Sequence, residues 1–248
     1  MDPSMLVTPA MLVTPVVCSR PSSREPLPGN GDVRIWQAWL DQPQEVVEML
    51  LTVLSSDERR KAGSFYFRRD QDRYIVGRGL LRIIISGYLK IEPGRLRFRY
   101  NSYGKPSLAN EFNATSSKFN LSHSHGLAVF AVACGREIGI DLEMIREDFA
   151  TMEIAEQCFS AREVAALRTL PPELRTQAFF TCWTRKEAYI KARGEGLSFP
   201  LDCFDVSLLP GEPACLLHVA GAAEEALRWS FREFDLGKGY VGSLAVQS

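Results

Sequence analysis

The chain has 248 residues, 46% of them hydrophobic and 24% charged, with a net charge of −1, which is the balance of a soluble globular protein able to bury one large core or two small ones. No apolar run reaches the ~18–20 residues of a membrane helix, so neither a membrane span nor a membrane partner is expected. Six cysteines, Cys18, Cys134, Cys158, Cys182, Cys203 and Cys215, stand singly with no C-x-x-C pair, and read as reduced thiols of a cytoplasmic protein.

Residues 1–31 repeat Met-Leu-Val-Thr-Pro and run on into Pro and Ser, so a disordered extension is expected; with no basic n-region and with apolar runs cut by prolines, a signal peptide is not expected. Val33 to Leu40 alternates and is rich in aromatic and β-branched residues, which predicts a strand. Ser55 or Ser56 ahead of Asp57 and Glu58 marks a helix start, and Tyr74 to Lys90 carries a dense helical pattern. Strands are predicted near Leu96 to Tyr100, Lys118 to Ser122 and Leu127 to Cys134, with turns at Tyr103 to Pro106 and His125-Gly126.

After Gly135 the order restarts. A strand is predicted at Glu137 to Glu143, a capped helix at Ser160 with Glu163, and a long helix from Glu173 to Ala192 ended by Gly194 and Gly196. Strands follow near Phe204 to Leu209, Cys215 to Val219, Leu227 to Phe234 and Tyr240 to Val246. The fold expected is α+β, with two similar halves over 32–135 and 136–248, each an antiparallel sheet against a long helix.

Charge is unevenly spread. Glu58 to Lys105 holds thirteen Lys or Arg against four Asp or Glu, so the first half suits an anionic ligand, although a solvated basic face would look the same.

Three constellations carry chemistry. In Ile138-Gly139-Ile140-Asp141-Leu142-Glu143 the strand period puts both carboxylates on one face while Ile140 and Leu142 enter the core. A solvated strand edge is one reading; a hard cation held by carboxylate and phosphate oxygens is the other. In Trp183 to Lys191 the helical spacing puts Glu187 and Lys191 on one face, either as an ordinary salt bridge or as a third acid with a phosphate-neutralising ammonium. Phe119-Asn120-Leu121-Ser122-His123-Ser124-His125 delivers small donors and imidazoles at a strand end. Zinc is discounted, because His218 is the only other histidine and no cysteine cluster supports it.

Gly104-Lys105-Pro106 and these three blocks, in this order, resemble the signature segments of the 4'-phosphopantetheinyl transferases of the surfactin-synthetase-activating type. The likeness runs from Ser55 to Leu209 and includes Gly194 to Ser198 and Pro200-Leu201-Asp202. It implies a pseudo-dimeric monomer that binds coenzyme A between its halves. By the resemblance Asp141, Glu143 and Glu187 hold Mg²⁺, Lys191 contacts the pyrophosphate, and Lys105 and His123, with Ser122 beside them, hold the 3'-phosphate. Arg59, Arg60, Lys61 and Arg78 fall where the family carries further phosphate-binding cations, Arg78 on a glycine-flanked helix turn.

The activity implied is Mg²⁺-dependent transfer of phosphopantetheine from coenzyme A to a serine of apo acyl, peptidyl or polyketide carrier proteins, releasing adenosine 3',5'-bisphosphate, with Glu187 taking the serine proton directly or through a metal-bound water. Residues 145–159 are the expected carrier contact. A silent binding module conflicts with intact acids at all three metal positions, and a nucleic-acid partner lacks both a groove-reading motif and net positive charge. A Walker-type NTPase lacks its loop.

Overall fold

The computed structural model describes residues 14–15 and 32–248. The expected disorder of 1–31 therefore lies, apart from Thr14 and Pro15, outside the described residues.

A two-residue strand β1 (Thr14–Pro15) pairs antiparallel with β2 (Val33–Trp39). Three helices follow: α1 (Gln44–Thr52), α2 (Ser56–Ala62) and α3 (Arg68–Leu89). Ser55 caps α2 in a capping box with Glu58, which supplies acceptors to otherwise unpaired amides of the first turn. α3 starts six residues before the predicted apolar stretch, because its first turns are polar and held by local pairs such as Arg68 with Asp72. A hairpin of β3 (Phe98–Tyr100) and β4 (Pro106–Leu108) comes next, then β5 (Ser117–Ser124) and β6 (Leu127–Cys134). Only Pro106 of β4 falls in the predicted turn, and Ser107 and Leu108 carry no predicted element, since three residues are too few to show alternation.

The second set runs β7 (Ile138–Met144), α4 (Met152–Cys158), α5 (Ala161–Thr169) and α6 (Pro172–Arg193), then β8 (Phe204–Val206), β9 (Leu216–Val219), β10 (Trp229–Glu233) and β11 (Tyr240–Gln247). α6 ends where Gly194 takes φ 78°, a left-handed position that costs glycine little. β8 stops short of the predicted Leu209 because the pairing with β9 slips at Asp205/Val206.

The two sets repeat one topology. The first sheet runs β1-β2-β6-β5 and the second β10-β11-β7, so each half pairs its last strand with its first and its second-last strands. α3 covers one face of the first sheet through Val76, Leu80 and Leu81, and α6 covers one face of the second along β7 and β11.

β6 is apolar on both faces for a reason of layering. Ala128, Phe130 and Val132 meet α3, whereas Leu127, Val129, Ala131 and Ala133 meet Ile138, Ile140, Leu142, Leu244 and Val246 of the second sheet. The result is helix, sheet, sheet, helix. Each fully buried Leu, Ile or Val contributes about 1.5–3 kcal/mol, and a whole domain is stable by only ~5–15 kcal/mol, so this shared core joins the halves into one body.

Candidate active site

The site forms where β7 meets α6. Ile140 and Leu142 point into the inter-sheet core, so Gly139, Asp141 and Glu143 take the opposite face, toward α6. Gly139 sets the approach: a Cβ there would fall 2.1 Å from the Ala188 carbonyl oxygen and 2.3 Å from the Ala192 nitrogen. With no side chain in the way, α6 lies directly on the strand, and Glu187 and Lys191 on its near face come against the two acids.

Lys191 Nζ donates to Asp141 Oδ1 at 2.5 Å and to Ser122 Oγ at 2.9 Å, and Ser122 Oγ donates to the same Asp141 oxygen at 2.8 Å. Asp141 is 2% exposed, and its Oδ2 is buried with no hydrogen-bond partner among the described residues. One row over, Ser124 Oγ donates to Glu143 Oε2 at 2.6 Å. A cleft of ≈ 470 Å³ opens beside these groups, closed on its sides by Leu121, His123 and Trp183.

The electrostatics follow from crowding. Burial raises the Glu187 carboxyl to about 7, Asp141 and Glu143 push in the same direction, and Lys191 opposes them. Burial likewise raises Glu143, with Asp141 adding to it against Ser124, Lys191 and Arg146. His123 presents an edge to solvent, yet partial burial, Lys191 and Arg73 hold its imidazole below the usual range.

Three acids beside one lysine form a site short of positive charge. The oxygen-only donors and the orphaned Asp141 Oδ2 suit a hard cation. Among the described residues no three His, Cys, Asp or Glu side chains already stand close enough to hold one, so oxygens from solvent or a substrate phosphate would have to complete the shell.

The remaining predicted residues lie elsewhere. Lys105 lines a separate ≈ 210 Å³ cavity with Arg99, Lys118, Glu137 and Arg193, at the opposite end of β5 and β7. Its Nζ donates to the Ala192 carbonyl at 2.7 Å, to Glu137 at 3.2 Å and to the Ile138 carbonyl at 3.3 Å, tying the turn of the first half to α6 and β7 of the second. Burial lowers its pKa against the pull of Glu137. Lys105 and His123, which the resemblance assigns to one phosphate, thus line different cavities.

Arg78 is not brought to the acids. It is buried, donating to Glu58 Oε1 at 2.5 Å and to the Tyr100 hydroxyl at 2.5 Å, with Phe98 under its guanidinium at 4.3 Å. Arg82 takes the other oxygen of Glu58 at 2.6 Å. Much of the basic surplus is therefore structural. Lys61 and Arg60 are exposed on α2, and Arg59 caps the Leu54 and Thr52 carbonyls.

Three contributors were not assigned from sequence. Ser124 and Trp183 sit inside quoted motifs but carried no role, and Arg73, close enough to depress His123, is held by two 2.7 Å bonds to Asp41. For Ser124 the signal was available: it shares strand parity with Ser122.

The chain matches a family model described as the 4'-phosphopantetheinyl transferase superfamily over residues 137–245 and one described as 4'-phosphopantetheinyl transferase, N-terminal, over residues 37–135. It is 42% identical over 215 residues to the 4'-phosphopantetheinyl transferase HetI of Nostoc sp. strain PCC 7120, covering 87% of each chain. It is 34% identical over 178 residues to the 4'-phosphopantetheinyl transferase Sfp of Bacillus subtilis strain 168, covering 71% of this chain and 77% of that one.

Proposed function

The chain belongs to the 4'-phosphopantetheinyl transferase superfamily, and from that premise we propose that the cleft between β5, β7 and α6 transfers the phosphopantetheine arm of coenzyme A, with Mg²⁺, to a serine hydroxyl of an apo carrier protein and releases adenosine 3',5'-bisphosphate. The observation that carries this reading is the one-sided Asp141: one oxygen is clasped by Lys191 and Ser122, the other is buried with no hydrogen-bond partner among the described residues, and the residue lines the same cleft as Glu143 and Glu187.

Asp141, Glu143 and Glu187 would hold the cation. When bound, Mg²⁺ would stabilise the negative charge that grows on the departing 5'-phosphate of adenosine 3',5'-bisphosphate as the pyrophosphate linkage of coenzyme A is broken. Lys191 shares its ammonium between Asp141 and the phosphates, and His123 on the opposite wall donates to an anion. Glu187, which lines the cleft with Trp183, receives the proton of the attacking serine. Lys105 contributes to the 3'-phosphate only by exchanging Glu137 for it; Arg78 contributes only by leaving Glu58, which its burial opposes, and Lys61 by reaching in from solvent. Residues 145–159, which follow Glu143 directly, are the surface offered to the carrier, and a cytoplasmic monomer is the working form.

Intact-mass analysis tests the reaction: the chain, coenzyme A, Mg²⁺ and a panel of apo carrier proteins, with and without EDTA. The expected result is a metal-dependent gain of about 340 Da on at least one carrier, one phosphopantetheinyl group joined as a phosphodiester. No gain on any carrier despite coenzyme A binding would replace this reading with a silent binding module.

A further inference from the structure

β5 and β7 run side by side at the junction of the halves without backbone pairing, each belonging to its own sheet. Side chains of β5 bridge the gap instead. Asn120, Ser122 and Ser124 share one face of β5, all buried. Asn120 Oδ1 accepts from the Ile140 amide at 2.9 Å, Ser122 Oγ donates to Asp141, and Ser124 Oγ donates to Glu143 Oε2 at 2.6 Å while accepting from the Met144 amide at 3.2 Å. The residue numbers rise together along the two strands, so this is a ladder, and two of its rungs end on acids of the cleft.

The third rung accepts from the Met144 amide and spends its own proton on Glu143. A glutamate has three rotatable bonds before its carboxylate, and Glu143 is only half-buried at the rim. Asp141 is short, buried and held by two donors on one oxygen, whereas Glu143 takes its hydrogen bond from the Ser124 hydroxyl. Ser124 is itself fixed, by its pairing opposite Leu127 and by the tight turn at His125 (φ 47°) and Gly126 (φ 88°), with His125 Nδ1 3.1 Å from the same oxygen.

We propose that Ser124 is a positioning residue for the metal-binding carboxylates: its hydroxyl, reaching across from the first half, holds one oxygen of Glu143 so that the other is turned toward the cation shared with Asp141. The inference rests on the metal-dependent reading given above. It makes the cation site a property of both halves together, although all three acids belong to the second.

The test uses the full chain with Ser124→Ala, Ser124→Cys and Ser124→Thr. Mn²⁺ affinity is read by electron paramagnetic resonance with and without coenzyme A, the Mg²⁺ concentration for half-maximal transfer by kinetics, and folding by Tm. Ser124→Ala and the near-isosteric, weakly donating Ser124→Cys are expected to raise the Mn²⁺ Kd and the Mg²⁺ half-saturation about 10-fold, with KM for coenzyme A at saturating Mg²⁺ unchanged. Ser124→Thr, which keeps the hydroxyl, is expected to restore most of the affinity. A metal-dependent wild type whose folded Ala or Cys variant binds Mn²⁺ as tightly overturns this inference alone. Transfer by the wild type that is indifferent to EDTA overturns the proposed function and this inference together.

Discussion

Lys191 Nζ lies 2.5 Å from Asp141 Oδ1, a contact made across 50 residues of sequence between the last turns of α6 and the middle of β7. This ammonium and the Ser122 hydroxyl share one oxygen of the buried aspartate, and the second oxygen is left with no hydrogen-bond partner among the described residues. Electrostatics and geometry are thus set by one pair.

Lys191→Ala and Asp141→Asn are each expected to reduce kcat/KM for transfer by at least ~10²-fold, the scale of losing a main electrostatic contribution. The double variant should lose far less than the product of the two, because each single change already disables the pair. Fully multiplicative losses in the double-mutant cycle would show that the two residues act independently.

Gly139→Ala asks whether the close approach of α6 matters. The added methyl would meet backbone atoms of Ala188 and Ala192 at 2.1 and 2.3 Å, and backbone cannot swing aside as a side chain can. Overpacking of this kind costs about 1–3 kcal/mol or more, visible as a lower urea midpoint. Because the helix must lift off β7, Glu187 and Lys191 retreat from Asp141, and transfer should fall more steeply than stability. A variant with wild-type kcat and midpoint would show the contact to be slack.

The acids were legible in sequence for a physical reason. Strand parity puts Asp141 and Glu143 opposite Ile140 and Leu142 without any knowledge of fold, and helical spacing does the same for Glu187 and Lys191. What parity cannot give is which faces meet. Arg78 carries the same charge as Lys191, yet Glu58, twenty residues earlier, claims it; Lys105 is claimed by Glu137 and two carbonyls contributed by the other half. Those partners are set by long-range packing, and a single chain read alone contains no trace of them. The repeated strand order was likewise legible only as element order, since the shared core depends on both faces of β6 being covered.

Glu187 makes a stability prediction opposite in sign to its functional one. Its folded pKa, about 7, lies above the ordinary glutamate value of about 4.5, so between the two the folded state holds a proton that the unfolded chain has lost. The stability this represents is present below about pH 4.5 and is lost as pH rises through 7. In EDTA, Glu187→Gln is therefore expected to have a Tm above wild type at pH 8, by roughly 2–4 °C, with the difference shrinking toward pH 5, while transfer falls ~10²-fold or more. Equal melting curves at pH 8 would mean the carboxyl is not penalised by its surroundings.

Glu58 lies outside the cleft and behaves the other way. Burial pushes its carboxyl up, but Arg82, the Ser55 amide and Arg78 outweigh it and hold the pKa below the usual value. A depressed acid contributes stability above its unfolded pKa and loses it as pH falls through the folded one, so this contribution is complete at neutral pH and fades on acidification below about 4.5. Glu58→Gln removes it at every pH and leaves two guanidiniums, 8% and 1% exposed, without their counter-ion. Breaking a buried pair from one side costs about 3–5 kcal/mol, here applied to a carboxylate that serves two arginines at once. The expected result is a Tm deficit that is large at pH 7 and narrows as pH drops toward 3, measured by scanning calorimetry across that range. A deficit that stays constant with pH would assign the loss to packing instead of charge.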